Sequence, residues 1–347
     1  MTKRDRSILT PRTIISAAFI GLAVAIGGSV SAQAQGLKNV TFSLDFIPLG
    51  RHAPWYVGVE KGFYKAEGLK VKIITSKGSS AVIQAVESGL ADIGFVDVPG
   101  ISFGRAGGST IKMVAVNYQK APYAIFSLDN GANVTTAKQL EGLTVGSGAG
   151  SFTPKVIRGF MVQKGLDPNK LKISNVAPPA WASMLLSGKV PAIDFYVMSG
   201  VGLSMGAKKS GANLTTYLLG DNGLSLYANG IGAKESYIKA NPDVMKKFVR
   251  GSLKAWQYTL RNPKESAKMQ RRHIKALKED IIVKEIAIIG NLAVTEDTKK
   301  NGLGWFSKAK MQQSLDFVRK YAPPKGKLPS VGDLFVAGFL PDPPIKP

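Results

Sequence analysis

The sequence predicts an α/β fold in which mainly parallel sheets are flanked by helices. Two observations lead to this prediction. Short apolar segments alternate with helical patterns between residues 36 and 116, and a second unit of the same kind begins near Leu143. Apolar strands separated by helices favour parallel pairing, because each crossover helix covers a face of the sheet and returns the chain to the same edge.

The first unit contains four predicted strands and two predicted helices. The strands are 40–44, 71–75, 93–96 and 111–116, and the helices are 54–61 and 81–88. In such sheets ligands bind beyond the carboxyl ends of the strands. Four polar residues lie at or just after those ends: Asp45, Ser79, Asp97 and Asn117. This edge is therefore the predicted binding edge.

The second unit begins with a predicted strand at 143–145, a glycine-rich turn and a helix at 154–164. A helix at 180–186 and a strand at 192–196 complete it. After Gly220 the pattern becomes mostly helical, with predicted helices at 235–261, 263–277, 279–289 and 308–321. The proline-rich end, 341–347, is predicted to be an extended tail.

The N-terminus has the features of a secretory signal. Basic residues between Lys3 and Arg12 precede an apolar run at 14–26, and small residues follow up to Ala32-Gln33-Ala34. This order predicts a signal peptide over residues 1–34 that is cleaved after Ala34, and therefore a periplasmic protein. The alternative is an uncleaved anchor, but the apolar run is shorter than the roughly 20 residues that a spanning helix needs.

Composition excludes several kinds of chemistry. The chain has no cysteine, which removes disulfides, thiolate metal sites and cysteine nucleophiles. Its two histidines, His52 and His273, are far apart in sequence, so we predict neither a metal site nor a cofactor. The formal net charge of +23 raises the alternative of nucleic-acid binding. The lysines are scattered and the chain carries an export signal, so a solvated basic surface with no nucleic-acid partner is the prediction.

The segment 45–64 carries the densest set of candidate binding residues. Asp45 ends an apolar strand and can act either as a cap or as a ligand acceptor. Pro54 suits the first turn of a helix, which puts His52 just ahead of that helix and Trp55 and Tyr56 in its first turn. His52 has either a structural or a ligand-binding role. The apolar positions Val59 and Phe63 of the same stripe are predicted to pack in the core.

The second unit offers further candidates. The glycine-rich turn 146–151 follows a strand and precedes a helix, with Thr153 as N-cap, so its free N–H groups and Ser151 are suited to an anion. A plain tight turn is the alternative. Trp181 begins a helix and Tyr196 ends a strand, positions from which aromatic rings reach ligands, although core packing is equally compatible. No catalytic arrangement of serine, histidine and carboxylate is recognisable, which favours binding over catalysis.

At these residues the chain resembles the periplasmic solute-binding proteins of ABC importers, in the branch of the thiamine-pyrimidine precursor, sulfonate and nitrate receptors. The resemblance rests on DF at 45–46, HAPWYV at 52–57, EKGFY at 60–64 and EGL at 67–69. AVESGLADIG at 85–94 and LLSGKV at 185–190 extend it. The resemblance implies a two-lobed type 2 periplasmic binding protein fold. Lobe 1 would comprise 36–120 and 228–340, and lobe 2 would comprise 121–227, with crossovers near 118–127 and 220–230.

The resemblance also implies a site, a solute and partners. The lobe 1 residues carried over are Asp45, Trp55 or Tyr56, Ser79, Ser80 and Asn117, and Ser151 and Tyr196 would face them from lobe 2. The aspartate and histidine pattern is most similar to the pyrimidine-precursor receptors, with a sulfonate, nitrate or aromatic carboxylate as alternatives. The implied partners are an ABC permease and its ATPase subunits, which provide the only link of a monomeric receptor to the membrane. The pyrimidine-synthesising enzymes of this group carry a cysteine-rich motif that the chain lacks, so we predict no enzymatic activity. A pyrimidine-synthase-like enzyme is the alternative, because His52 falls where the histidine of those enzymes lies.

The export signal gives a direct prediction. Because the A-x-A site ends at Ala34, the mature protein should begin at Gln35. N-terminal sequencing of the exported protein measures this, and recovery of a chain that still begins at Met1 would contradict it.

Overall fold

The computed structural model describes residues 36–149 and 151–347. The predicted signal peptide, 1–34, lies outside these residues. Two five-stranded sheets with helices around them form the described chain. This confirms the predicted α/β class.

The ten strands are β1 Lys38–Leu44, β2 Leu69–Thr75, β3 Ile93–Asp97, β4 Ile111–Val116, β5 Tyr123–Leu128, β6 Thr144–Ser147, β7 Lys172–Asn175, β8 Ala192–Tyr196, β9 Leu214–Leu218 and β10 Asn229–Lys234. The helices in the described part of the chain are α1 Ala53–Glu60, α2 Phe63–Ala66, α3 Ser79–Glu87, α4 Val98–Ala106, α5 Thr153–Gln163, α6 Trp181–Leu186, α7 Gly200–Lys209, α8 Glu235–Ala240, α9 Pro242–Arg261, α10 Pro263–His273, α11 Glu279–Ala293, α12 Glu296–Asn301 and α13 Lys308–Tyr321.

The two sheets have the same plan. Strand order is β2-β1-β3-β10-β4 in the first sheet and β7-β6-β8-β5-β9 in the second. In each sheet one strand, β10 or β5, is antiparallel to both of its neighbours. These are the first strands after the chain passes from one sheet to the other. The segment predicted as a crossover at 118–127 therefore contains most of β5, whose six side chains are all buried because it lies between two neighbours.

The two sheets draw on different parts of the chain. The strands of the second sheet fall between Tyr123 and Leu218, and the first sheet combines β1–β4 with β10. The exact lobe boundaries stay a prediction. The last residues, predicted as an extended tail, lie against the helical part, where the amide of Leu303 donates to the carbonyl of Ile345 at 2.8 Å.

Two predicted helices are different in the structure. The predicted helix 235–261 is divided into α8 and α9 at Asn241. Pro242 explains the break, because proline disfavours the helical conformation in the residue before it, and Asn241 has φ −132° and ψ 51°. The predicted helix 263–277 ends at His273. The glycine-containing helices α4 and α7 were not predicted.

An aromatic cluster forms the core beneath the first sheet. The ring of Trp55 lies 4.6 Å from that of Phe42 and 5.1 Å from that of Phe95, measured between centroids. Trp256 of α9 contacts the same ring at 6.0 Å. Phe63, which was predicted to pack in the core, is half-buried against Tyr258. The prediction of a core position for Val59 was wrong, because the buried side of α1 ends at Gly58 and Val59 is exposed.

Two features are absent from the described residues. Within residues 36–149 and 151–347, no helix combines the length and apolar character that crossing a membrane requires. The same residues contain no cluster of three or more His, Cys, Asp or Glu side chains placed to hold a metal ion.

Strand β10 of the first sheet requires a glycine at position 230. A Cβ atom on Gly230 in β10 would lie 2.1 Å from the carbonyl oxygen of Ala115 and 2.6 Å from the sulfur of Met113. We expect Gly230→Ala to lower the free energy of unfolding by roughly 1–3 kcal/mol or more, since the tightest clash is with backbone. Urea denaturation of the purified protein measures the change.

Gly202→Ala in α7 is the matched control. A Cβ atom there would meet nothing within 4 Å, and alanine favours a helix interior by about 1 kcal/mol over glycine. The control should therefore be neutral or stabilising. Equal loss of stability in both variants would contradict the role given to Gly230.

Candidate functional site

A cavity lies where the carboxyl ends of strands from both sheets meet. It encloses about 470 Å³ of empty space, counting its mouth. The first sheet contributes the residues that follow β1 and β2, and the second contributes the end of β8 and the starts of α5 and α6. The residues that line it are Asp45, Phe46, Arg51, Lys77, Gly78, Ser79, Gly148, Ser151, Phe152, Thr153, Pro178, Trp181, Asp194, Phe195 and Tyr196. This is the edge at which α/β sheets bind ligands.

Aromatic rings form much of the wall. Phe46, which follows β1, lies 5.3 Å from Trp181 and 5.2 Å from Phe195, measured between ring centroids. Trp181 and Phe195 meet edge to face at 4.6 Å. The indole N–H of Trp181 donates to the carbonyl of Val176 at 2.7 Å, which fixes the ring. Rings held in this way offer flat apolar surfaces to a solute.

The carboxylate of Asp45 is the centre of a buried polar cluster. Its Oδ2 accepts hydrogen bonds from Nη2 of Arg51 and Nδ2 of Asn229, both at 3.0 Å. Its Oδ1 lies 3.0 Å from Nε2 of His52. Burial raises the pKa of Asp45, but the charge of Arg51 and the hydrogen bond with His52 outweigh it and hold the pKa below its usual value. Asp45 is therefore ionised at neutral pH.

His52 is a structural partner of Asp45. Its Nδ1 accepts the amide proton of Leu49 at 3.1 Å, so the proton of the neutral ring is on Nε2 and is donated to Asp45. Burial lowers the pKa of His52 to about 4, with a further contribution from the charge of Arg51. The side chain is completely buried and does not line the cavity. Both ring nitrogens are thus occupied in holding Asp45 and the turn before α1.

A second buried carboxyl group links the two sheets. Oδ2 of Asp97, at the end of β3, accepts from the hydroxyl of Tyr123 at 2.6 Å and from that of Tyr196 at 3.2 Å. Both tyrosines belong to the second sheet. Burial raises the pKa of Asp97 to about 8, although the two tyrosine hydrogen bonds act in the opposite direction. Asp97 is therefore largely neutral at pH 7.

A third carboxyl group, Asp194, belongs to the cavity wall. Its Oδ2 accepts from the hydroxyl of Ser147 at 2.8 Å, and its Oδ1 is buried without a partner. Burial raises the pKa of Asp194 to about 7, and the hydrogen bond with Ser147 offsets part of this rise.

The structure brings half of the predicted site residues to the cavity. Those that line it are Asp45, Ser79, Ser151, Trp181 and Tyr196. The residues that lie elsewhere are His52, Trp55, Tyr56, Ser80 and Asn117.

These five residues lie outside the cavity for different reasons. Trp55 points into the aromatic core from the first turn of α1, and Tyr56 is buried beside His273 at 5.2 Å. Ser80 is exposed in a separate groove next to α4. Asn117 is buried, and its amide donates to the carbonyl of Asn229 at 3.0 Å.

The cavity also contains residues that were not predicted to bind. Arg51, Phe46, Asp194 and Phe195 line it. Phe46 and Arg51 are within the segment that the sequence singled out, next to Asp45 and His52, so their position at the strand–helix junction was the available signal. In a chain with 46 lysines and arginines, one buried arginine does not stand out by composition.

Comparison with known families identifies the chain. Residues 50–266, more than half of its length, match the family described as NMT1/THI5 like. The chain belongs to the NMT1/THI5-like family. The resemblance drawn from the motifs at 45–94 is thereby confirmed.

This NMT1/THI5-like protein has curated relatives that are binding proteins. It is 26% identical over 290 residues to the riboflavin-binding protein RibY of Chloroflexus aurantiacus, covering 82% of this chain and 81% of the relative. It is 23% identical over 242 residues to the formylaminopyrimidine-binding protein of Halalkalibacterium halodurans, covering 69% and 71% of the two chains.

Solved structures establish the fold of this family member. The alkanesulfonate-binding protein SsuA of Xanthomonas axonopodis pv. citri, bound to MOPS, superposes with a TM-score of 0.66 at 13% identity. The match covers 87% of this chain and 99% of that one. The fold is therefore the two-lobed type 2 periplasmic binding protein fold, as the resemblance implied.

The raised pKa of Asp97 predicts how stability depends on pH. Because its pKa of about 8 in the folded protein lies above the value of about 3.9 in an unfolded chain, the folded protein holds a proton that the unfolded chain loses. The contribution of Asp97 to stability is therefore lost as pH rises from about 4 to about 8. Asp97→Asn cannot ionise, so its free energy of unfolding should rise relative to that of the wild type over this interval.

Urea denaturation of both proteins at several pH values between about 5 and 9 measures the difference. Tyr196→Phe, which removes one hydrogen bond and keeps the carboxyl group, should retain the pH dependence of the wild type. A difference between wild type and Asp97→Asn that does not change with pH would contradict a neutral Asp97.

Proposed function

We propose that this protein is the exported solute-binding receptor of an ABC uptake system and that it captures a small, flat, polar heteroaromatic solute between its two sheets. The observation that carries the proposal is the cavity wall, which combines aromatic rings with buried polar groups. Phe46, Trp181 and Phe195 provide flat surfaces, while Arg51 and Asp194 provide hydrogen-bonding groups at the same cavity. Binding pockets of this composition stack a ring and orient it through a few polar contacts.

The relatives support this solute class. Riboflavin and formylaminopyrimidine, the solutes named for the two curated relatives, are both flat nitrogen heterocycles. Flat nitrogen heterocycles are therefore the favoured solute class, from pyrimidines of the thiamine-precursor kind to larger ring systems.

Capture would follow from differential binding to open and closed states. The cavity has walls from both sheets, with Phe46 on one side and Trp181 and Phe195 on the other. A solute bound to one wall gains contacts when the other wall closes on it, which shifts the population to the closed state. The closed, monomeric receptor would then deliver the solute to a permease and its ATPase subunits in the membrane.

An anionic solute is the second candidate, and one observation favours it. The N-termini of α3 and α5 both reach the cavity, and Lys77 lines it as well. Helix N-termini and a lysine favour negative charge, which suits a sulfonate, nitrate or an aromatic carboxylate. The aromatic wall is the reason to prefer a heteroaromatic solute, because nitrate and small sulfonates have no ring to stack.

The enzyme alternative has less support. His52 is the candidate base of an enzyme, and both of its ring nitrogens are bonded within the protein. The chain also has no cysteine. A completely buried, fully bonded histidine has no access to a substrate proton, which supports a receptor without catalytic activity.

Ligand screening by thermal shift tests the proposal. Riboflavin, formylaminopyrimidine, methanesulfonate and nitrate are each added to the mature protein. A solute that binds only the folded state raises the melting temperature in proportion to its affinity, so at least one heteroaromatic solute should raise it by several degrees. If only methanesulfonate or nitrate raises it, the anion alternative is correct, and no shift with any solute would contradict solute capture.

Trp181→Leu tests the aromatic wall. Loss of the ring should weaken binding of the heteroaromatic solute roughly tenfold, in line with about 1.4 kcal/mol of lost contacts. Trp305→Leu removes a half-buried tryptophan that does not line the cavity and is the matched control. Isothermal titration calorimetry measures both, and equal affinities in the two variants would contradict the stacking role of Trp181.

A further inference from the structure

Arg51 carries hydrogen-bond donors that the protein does not use. Its guanidinium group is 2% exposed and lines the cavity. Nη2 donates to Asp45 at 3.0 Å, but Nε and Nη1 are buried and have no partner among the described residues. Buried donors are nearly always paired in folded proteins, and donors of a charged group are the costliest to leave unpaired. A cavity residue with two free donors is therefore suited to an acceptor that arrives with the solute.

The guanidinium group is held by two contacts, and the backbone of Arg51 is held by a third. Asp45 holds one end, and the Cζ atom of Arg51 lies 4.9 Å from the ring centroid of Tyr196. The backbone amide of Arg51 donates to Oε2 of the buried Glu285 at 2.9 Å. The planar fork is thus oriented before any solute binds, which reduces the entropy that binding would cost.

The contact with Glu285 depends on the glycine before Arg51. A Cβ atom on Gly50 would lie 2.7 Å from Cα of Ile282 and 2.9 Å from Oε2 of Glu285. Only glycine lets the turn Gly50–His52 approach α11 this closely. Glu285 is in this sense a positioning residue, since it acts on the solute only through Arg51.

Asp194 offers the complementary group. Its Oδ2 is occupied by Ser147, while Oδ1 is buried without a partner and the residue lines the same cavity as Arg51. A carboxyl oxygen that lacks a donor requires one from the solute. The cavity wall therefore holds unused donors on Arg51 and an unused acceptor on Asp194.

We propose that Arg51 determines specificity by binding a ring carbonyl oxygen of the solute through one of its unused donors, Nε–H or Nη1–H, and that the preferred solute is a cyclic amide or imide whose ring N–H faces Asp194. This inference rests on the proposed function, since it names the class of heteroaromatic ring that the receptor takes. Rings that carry amino groups in place of carbonyl groups would present a donor, not an acceptor, to Arg51 at those positions. Sites with buried polar groups reject analogues that cannot pair them.

A matched pair of rings tests the proposal. Lumazine carries two ring carbonyl groups, and 2,4-diaminopteridine has amino groups at the same positions on a ring system of the same size. Isothermal titration calorimetry of the mature protein should show that lumazine binds at least tenfold more tightly. Uracil and 2,4-diaminopyrimidine provide the same comparison on a smaller ring.

Variants of Arg51 test whether this residue causes the preference for lumazine over 2,4-diaminopteridine. Arg51→Met removes the donors, and Arg51→Lys keeps the charge without the fork. Both should reduce the lumazine preference to less than about threefold. Because the two rings are compared on the same variant, a loss of folded protein affects both affinities equally and leaves their ratio unchanged.

Tyr118→Phe tests whether the unused donors of Arg51 serve the hydroxyl of Tyr118 and not the solute. The hydroxyl of Tyr118 is buried, and a hydrogen bond with Arg51 is among the effects that act on its pKa against burial, so Tyr118 is the protein group that could use one of these donors. If the donors serve the solute, Tyr118→Phe keeps the wild-type ratio. A ratio lost in Tyr118→Phe as fully as in the Arg51 variants would overturn the proposal.

Two other outcomes would be equally decisive. A wild-type protein that binds the diamino rings as well as the carbonyl rings, or Arg51 variants that keep the preference, would overturn the role of Arg51 while leaving the receptor function in place. Failure of every heteroaromatic solute to bind the wild type would instead contradict the proposed heteroaromatic solute class, and this inference with it.

Discussion

The ionised carboxylate of Asp45, buried between both sheets, is the interaction on which the site depends. A buried charge is tolerated only when it is paired and hydrogen-bonded, and Asp45 receives donors from Arg51, His52 and Asn229. These three come from the turn before α1 and from β10. Satisfying one carboxylate therefore fixes the strand end, the turn and the returning strand together, and it orients Arg51 towards the cavity.

Burial acts on three carboxyl groups at this site with different results. Asp45 has a guanidinium partner, and its pKa lies below the usual value. Asp97 and Asp194 have hydroxyl partners in place of cations, and burial raises their pKa values to about 8 and about 7. Hydrogen bonds from neutral hydroxyls offset desolvation only partly, whereas a full opposite charge outweighs it. The site is thus less negative at neutral pH than its composition suggests, which suits an uncharged polar ring.

Sequence periodicity predicted the elements that have regular apolar patterns and missed those that do not. Strands β1–β4 and β8 and helix α13 agree with their predicted ranges to within about two residues, because burial on both faces of a sheet or on one face of a helix dictates their composition. Helices α4 and α7 contain glycines, which hide the helical pattern. Among site residues, Asp45 and Trp181 were predicted from their places at element ends. Trp55 and Arg51 could not be assigned, because only the tertiary packing decides which side chain of one short segment points to the core and which to the cavity.

The place of β10 in the first sheet has a consequence for the order in which the protein can fold. This strand lies between β3 and β4, which do not pair with each other, yet it begins at residue 229 whereas β4 ends at residue 116. The first sheet therefore lacks the strand between β3 and β4 until the whole second sheet has been synthesised. Contacts so distant in sequence form slowly. Completion of the first sheet is therefore coupled to the second, because β10 can pair only after residues 123–218 have been made.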